Sequence, residues 1–159
     1  MKTANNQERP EKLITSNRRA RHDFEILQTL EAGIVLQGTE VKSLRQGKCS
    51  IQEAYAGFPS PNSFELYLIN FHISPYEHGN RENHEPKRPR KLLVNMREAK
   101  KLKAAVQEKG LTIIPLRLYF SGPFVKVEIA VVRAKHKYDK REASKQKETE
   151  KEIRKKYRV

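Results

Sequence analysis

The chain has 159 residues and a formal net charge of +14, from 33 Lys and Arg against 19 Asp and Glu. This length favours one domain with room for a tail, and such a surplus favours an acidic polymer as partner, either nucleic acid or an anionic membrane. No stretch has the long apolar span, lipidation signal or broad apolar helix face that a membrane partner needs, and the single cysteine, Cys49, excludes an internal disulfide and a cysteine-based zinc site.

Residues 1–16 are polar, lack periodicity and contain Pro10, which predicts a mobile arm. They also lack the apolar stretch of a secretory signal, so we expect a cytoplasmic protein. Residues 24–36 are apolar or β-prone enough for one long strand. Gly33 predicts a bulge or sharp bend in it, and long bent strands are typical of small closed barrels.

Gly38 and Thr39 predict the N-cap of a short helix over residues 40–46, which Gly47 ends in the left-handed conformation. Residues 51–58 and 64–73 predict two further strands, joined by a turn rich in Pro, Asn and Ser. Residues 77–90 contain almost no apolar side chains. A segment of that length is expected to be functional or disordered.

Asn95 and Glu98 have the spacing of a capping box, and an apolar stripe follows them in a helix that Gly110 ends. Apolar and polar residues then alternate along residues 111–120 and 124–133. This alternation predicts two strands that each bury one face, joined by a turn at residues 121–123.

The fold class predicted from these elements is mainly β with short helices. Five or six short strands around one helix favour a closed antiparallel barrel of the oligonucleotide-binding type over residues 17–133. Residues 134–159 form a basic tail, since residues 135–159 hold eleven Lys and Arg against five Asp and Glu and few apolar residues. We expect this tail to be disordered alone and helical on a partner.

Catalytic chemistry is not predicted. His72, His78 and His84 lie six residues apart and match no metal-binding motif, and the chain has no glycine-rich phosphate loop. No paired carboxylates or metal ligands have a spacing useful for a nuclease. We therefore expect no metal site, no cofactor and no enzymatic activity.

Basic clusters supply the binding chemistry. One precedes the first predicted strand, a second occupies residues 87–91, and the tail is a third; each could instead be a solvated surface. Arginine suits bidentate phosphate contacts, and planar side chains suit stacking on unpaired RNA bases. Glu31 and Glu40 lie in these basic surroundings. Each could face solvent, accept from a base edge or orient an arginine, and the sequence leaves these alternatives open.

Several segments resemble the SmpB family of SsrA-binding proteins: NRRARHDF at residues 17–24, EAGIVLQGTEVKSLRQGK at 31–48, HISPYEHGN at 72–80, NHEPKRPRKLL at 83–93 and YDKRE at 138–142. The resemblance implies an adaptor of trans-translation. Such a protein binds the tRNA-like domain of transfer-messenger RNA and delivers it, with elongation factor Tu, to stalled ribosomes. A general RNA-binding or ribosome-associated protein is the alternative, and a monomer is expected.

The resemblance also implies site residues. Those expected to contact transfer-messenger RNA are Asn17, Arg18, Arg21, His22, Glu31, Lys42, Arg45, Arg90, Lys91, Leu93 and Asn95. The tail residues expected to contact the ribosome, at the decoding centre and the empty mRNA channel, are Lys135, Lys137, Tyr138, Asp139, Lys140 and Arg141. Among these, Tyr138 resembles the position that stacks on a decoding-centre base.

Overall fold

The computed structural model describes residues 10–79, 82–108 and 110–135. The helices are α1 (Ala20–Asp23), α2 (Gly38–Arg45) and α3 (Met96–Val106). The strands are β1 (Glu11–Ser16), β2 (Phe24–Ile34), β3 (Cys49–Ser50), β4 (Tyr55–Gly57), β5 (Leu66–Ile69), β6 (His72–Ile73), β7 (Arg90–Leu93), β8 (Leu111–Ser121) and β9 (Phe124–Ala134). The predicted class, mainly β with short helices, is confirmed.

The main sheet has the strand order β1-β8-β4-β5-β7-β2-β9, and all its neighbouring pairs are antiparallel. Strand β8 also pairs with β9, so the order returns to β8 and forms a ring of six strands with β1 attached outside it. The contact between β4 and β8 is a single residue pair, Ala56 opposite Ile113. Strands β3 and β6 form a separate two-stranded sheet.

Alternating apolar side chains build the core. Val127, Ile129 and Val131 of β9 point inward and join the central cluster, which also contains Leu68 and Leu118. Because successive side chains of a strand face opposite sides, the residues between them form a second, smaller cluster on the outer face of the same strands. That cluster comprises Ala20, Ile114, Leu116, Ala130 and Val132, so helix α1 covers the outer face through the buried Ala20.

The predicted N-terminal arm requires a correction. Residues 11–16 form strand β1, which pairs with β8 from Glu11 opposite Ser121 to Ser16 opposite Arg117. These residues show no apolar alternation because β1 lies at the edge of the sheet and fully buries none of its residues. Residues 1–9 lie outside the described residues, as does the predicted tail after Lys135.

The predicted bend at Gly33 is also corrected. The pairing of β2 with β9 shifts register between Ile26 and Gln28, while Gly33 continues regular pairing with Lys126 and Leu93. Gly33 has a different role. A Cβ atom at this position would lie 3.3 Å from the Cβ of Leu93, so the missing side chain lets β7 approach β2 closely.

The two middle strands are shorter than predicted. Residues 51–58 contain only β4, and residues 64–73 contain β5 and β6, separated by Asn70 with a positive φ of 64°. Helix α2 begins at Gly38 with Gln37 as its N-cap, instead of at residue 40 with a cap at 38–39. Gly47 has a φ of 71°, so the predicted left-handed residue after this helix is confirmed.

Candidate nucleic-acid interface

Helix α1 and the residues just before it carry the first group of predicted site residues. This group, the α1 group, comprises Asn17, Arg18, Arg21 and His22. The buried Ala20 anchors the helix on the sheet, and the Asn17 backbone N–H donates to the Leu116 carbonyl at 2.7 Å. Because one residue of this short turn faces the core, Arg18, Arg21 and His22 are directed outward and are exposed.

Lys135 ties the start of the tail to this helix. Its backbone N–H donates to the Asp23 carbonyl at 3.1 Å, and its Nζ donates to the Arg21 carbonyl at 3.2 Å. Lys135 also lines, together with Asn17 and His22, a surface cleft of about 730 Å³. Lys135, the first of the residues expected to contact the ribosome, therefore lies beside the α1 group, while the predicted tail residue Ala134 is the last residue of β9.

Helix α2 presents a second cationic surface, Lys42 and Arg45, called the α2 pair below. Glu40, Ser43 and Leu44 are buried on the opposite side of the helix, so the α2 pair is exposed. The Lys42 Nζ lies 5.4 Å from the centroid of the Tyr76 ring, a cation–π distance. Tyr76 is thus already in contact with a cation.

The buried side of α2 contains an ion cluster formed by Glu40, Arg88 and Arg90. Arg88 donates to the Glu40 carboxylate from Nε at 3.0 Å and from Nη2 at 2.8 Å, and Arg90 donates from Nε at 2.6 Å. The Gln37 backbone N–H adds a bond of 2.7 Å. Burial raises the pKa of the Glu40 carboxyl, but the hydrogen bonds from Arg88 and Gln37 and the charge of Arg90 outweigh it and lower this pKa below its ordinary value.

Arg90 is a correction to the predicted site. Its side chain is completely buried, and its remaining donors bond to the backbone carbonyls of Phe71, Glu85 and Pro86. A guanidinium in this position does not reach a ligand at the surface. Arg90 instead connects β7, α2 and the backbone at Phe71, Glu85 and Pro86.

Two side chains of residues 77–90, the stretch predicted only as functional or disordered, bond to residues that precede it or to helix α2. Asn83 Nδ2 donates to the Tyr76 carbonyl at 2.6 Å, and its Oδ1 accepts from the Tyr76 backbone N–H at 3.0 Å. His84 is buried and bonds to the Ile73 carbonyl through Nε2 and to the Thr39 hydroxyl through Nδ1, both at 2.9 Å. Since a carbonyl only accepts, Nε2 carries the proton.

The outer face of the sheet carries a third group, which comprises Glu31, Lys91, Leu93 and Asn95 and is called the sheet group below. Arg90 and Leu92 face the core, so Lys91 and Leu93 alternate outward. Leu93 packs against Gly33, two residues beyond Glu31 on β2. The Tyr119 hydroxyl donates to Glu31, and burial together with this carboxylate raises the pKa of Tyr119. Glu31, Lys91 and Leu93 therefore share one face.

The structure does not bring all predicted residues together. The α1 group lies where Phe24 of β2 pairs with Ala134, whereas the sheet group and the α2 pair lie at the other end, where Gly33 pairs with Lys126. Phe24 and Gly33 are nine positions apart, which is a path of about 30 Å along the strand. Lys137, Tyr138, Asp139, Lys140 and Arg141 lie outside the described residues.

Three residues that support this site from beneath were not among the site residues predicted from the sequence. Glu40 and Arg88 are ion-paired across 48 positions, and Tyr119 reaches Glu31 across 88 positions. Such pairings leave no periodic signal. The presence of a carboxylate in basic surroundings was the available signal for Glu40, and orienting an arginine is the alternative that the structure supports.

Within residues 10–79, 82–108 and 110–135, no group of three or more His, Cys, Asp or Glu side chains is arranged to hold a metal ion. Burial raises the pKa of the Cys49 thiol to about 11, despite the charge of Arg90. In the same part of the chain, no helix is both long and apolar enough to cross a membrane.

The fold and the cationic groups at both ends of β2 define a small, mainly β protein with a strongly basic surface. A family model described as SmpB protein matches residues 14–159. The chain therefore belongs to the SmpB protein family.

Individual relatives agree with this assignment. The SsrA-binding protein of Carboxydothermus hydrogenoformans is 50% identical over 149 residues, 94% of this chain and 98% of that protein. The SsrA-binding protein of Desulforudis audaxviator is 52% identical over 144 residues, 91% of this chain and 92% of that protein. A solved chain from "tmRNA-SmpB: a journey to the center of the bacterial ribosome" is 48% identical, with a TM-score of 0.66, over 83% of this chain and 91% of that chain.

Proposed function

We propose that this chain is an RNA-binding adaptor of trans-translation, which binds transfer-messenger RNA and delivers it to stalled ribosomes. The observation that carries the proposal is membership in the SmpB family across residues 14–159. The names of the relatives support SsrA RNA as the ligand, and the description of the solved neighbour joins tmRNA, SmpB and the bacterial ribosome. No catalytic step is needed for this role, so we propose that the chain is not an enzyme.

We further propose a division of labour between core and tail. The α1 group, the α2 pair and the sheet group bind the tRNA-like domain, and the tail from Lys135 contacts the decoding centre and the mRNA channel. Arginine and lysine side chains supply phosphate contacts in the core. Tyr138 supplies a planar surface in the tail, followed by the charged Asp139, Lys140 and Arg141. Arg90 acts indirectly, by fixing α2 and β7 together.

The finer features expected from the family resemblance belong to the same proposal. The ring of six strands is an oligonucleotide-binding barrel, which would present its outer face and one end to RNA. The chain acts as a monomer in the cytoplasm, and elongation factor Tu joins the complex through the RNA instead of through a dedicated protein surface.

A truncation separates the roles of core and tail. A chain ending at Lys135 keeps the two bonds from Lys135 to α1, so it is expected to bind transfer-messenger RNA as tightly as the full chain. The same variant is expected to fail in peptide tagging on stalled ribosomes. Loss of RNA binding in this variant would contradict the division of labour.

RNA selectivity tests the adaptor role itself. Binding to transfer-messenger RNA is expected to be tight, to weaken as salt rises, and to survive an excess of bulk tRNA. Sequencing the RNA that co-purifies with the tagged protein gives an independent measurement. Equal affinity for unrelated hairpins would favour a general RNA-binding protein instead, and metal-dependent cleavage of the RNA would contradict a purely adaptor function.

A further inference from the structure

A shallow apolar cleft adjoins the sheet group. It has a volume of about 540 Å³, and Phe64, Leu93 and Met96 line it. These side chains are 39%, 52% and 56% exposed, which is unusual for three large apolar residues grouped around one depression. Leu93 is expected to contact RNA, but Phe64 and Met96 have no role in the function proposed above.

A buried cation holds the loop that leads into Phe64. Lys103 of α3 is only 8% exposed, and its Nζ donates to the backbone carbonyls of Ser60 and Ser63 in the loop between β4 and β5. The same ammonium lies 5.0 Å from the centroid of the Phe64 ring and 4.8 Å from that of Phe58. Burying a lysine is costly unless it is paired, so this loop is firmly held and Phe64 is preorganised at the cleft.

Leu93 is positioned from the opposite side. Gly33 leaves room for Leu93 to pack directly on strand β2, where a Cβ would come within 3.3 Å. Met96 begins helix α3 just beyond Asn95, whose side chain accepts from the Glu98 backbone N–H at 2.8 Å. The three apolar side chains are therefore set by a loop, a strand and a capped helix.

The charge around the cleft favours one kind of occupant. Lys91 lines the cleft, and Arg97, Lys100 and Lys101 are exposed on the adjoining helix. Glu65 also lines the cleft, 3.8 Å from Lys91, and Glu98 on the helix accepts from the Asn95 backbone N–H at 3.0 Å, so both carboxylates have partners. Because the Lys91–Glu65 pair is exposed, it is weak and leaves Lys91 available to an anion.

An apolar surface with a cationic edge matches the chemistry of an unpaired nucleotide, whose base stacks while its phosphate is neutralised. We propose that Phe64, Leu93 and Met96 form a subsite for an unstacked RNA base, with Lys91 contacting the adjacent phosphate. This inference rests on the proposed function. The subsite adds an apolar contact to the cationic surface that carries the sheet group.

Substitution of the apolar residues tests the subsite in the full chain. F64S and M96S are each expected to weaken binding of transfer-messenger RNA by about tenfold without changing the slope of log affinity against log salt, because stacking releases no counterions. K91A is expected to weaken binding and to reduce that slope by about one unit. Y55S is the matched control, since Tyr55 is an exposed aromatic that does not line the cleft, and it is expected to bind normally.

A spectroscopic readout removes the ambiguity of a folding defect. The chain contains no tryptophan, so F64W places a single indole at the cleft. At saturating RNA, the emission of F64W is expected to be quenched, because a base seated in the cleft would contact the indole. Unchanged emission at saturating RNA would overturn the subsite.

The outcomes separate this inference from the proposed function. If the wild type distinguishes transfer-messenger RNA from unrelated hairpins but F64S and M96S bind equally well, the base subsite is wrong and the proposed function stands. The cleft would then suit an apolar side chain of a protein partner. If the wild type shows no selectivity, the proposed function itself fails.

Discussion

Glu40 is a completely buried carboxylate between two arginines, and its surroundings decide whether it stabilises the fold. Taking charges out of water costs several kcal/mol per ion, and their attraction compensates only when the hydrogen-bonding geometry is good. Here the carboxylate accepts from Arg88, Arg90 and the Gln37 backbone. The cluster therefore serves more to fix α2, β7 and the backbone around Pro86 in one arrangement than to add net stability.

Removing the charge of Glu40 leaves two cations without their partner. E40Q is expected to lower the free energy of unfolding at pH 7 by about 3 kcal/mol, measured by urea denaturation, because a buried pair broken on one side leaves an uncompensated charge. E77Q is the matched control, because Glu77 pairs with Lys48 at 2.8 Å on the surface. The free energy of unfolding of the E77Q variant is expected to equal that of the wild type. Equal effects of the two substitutions would contradict the importance of burial.

The lowered pKa of Glu40 also predicts a pH dependence. Since the folded state holds this carboxyl ionised more strongly than the unfolded chain, the unfolded chain binds the proton first as the pH falls below 4.5, the ordinary value. The stabilisation from Glu40 is complete above that pH and is lost as the pH falls through the folded-state pKa. The unfolding free energy of E40Q is therefore expected to fall less steeply in this acidic range than that of the wild type. Parallel curves would rule out this contribution.

At the scale of elements, the glycines at the two ends of α2 make opposite contributions to stability. Gly47 follows the helix with a φ of 71°, where an L side chain is strained, so G47A is expected to lower the free energy of unfolding by about 1 kcal/mol. Gly38 begins the helix, has nothing within 4 Å of an added Cβ and needs no such conformation. G38A is expected to raise the free energy by about 0.5 kcal/mol. Urea denaturation of both variants checks the sign of each change.

The elements that the sequence predicted well have a local cause. The alternation along β8 and β9 and the capping box of α3 are set by neighbouring residues, and they were placed within a few positions. Strand β1 has no such pattern because its pairing to β8 is determined by backbone bonds at an edge. The break at Asn70 likewise depends on a single backbone conformation.

The candidate site shows the same limit for side chains. Arg88, Arg90 and Lys91 are equivalent cations in the sequence. Alternation along β7 turns Arg90 inward, where the distant Glu40 and backbone carbonyls pair it, and leaves Lys91 half-buried at the surface. Gly33 could be identified as special, but its partner Leu93 is sixty positions away. Residue type predicted a basic surface, and burial then selected which residues belong to it.

At the scale of the whole molecule, the cationic groups form two separate places. The α1 group and the sheet group are joined by the ladder of β2 and β9, from the pair Phe24 and Ala134 to the pair Gly33 and Lys126. The path along β2 between the two places is at most about 30 Å, and an RNA in contact with both must span them. Contact with a single phosphate would therefore not reach both groups.

This separation predicts additive energetics. R21A and K91A are each expected to weaken binding of transfer-messenger RNA and to reduce its salt slope, because each removes one cation. In the double variant the two changes in binding free energy are expected to add within about 0.5 kcal/mol, as for distant sites. Affinity titrations over a range of salt concentrations test this. A double variant no weaker than either single one would indicate one shared site.

The bonds from Lys135 to α1 also set a reach. Tyr138 is three positions after Lys135, so their Cα atoms are at most about 11 Å apart. The Cα atom of Tyr138 can therefore lie no farther than roughly one helix diameter from the Lys135 anchor beside Arg21 and Asp23. If Tyr138 contacts the ribosome and α1 contacts the RNA as proposed, the two partners are near neighbours, and they must approach the chain from directions that leave room for both at this corner.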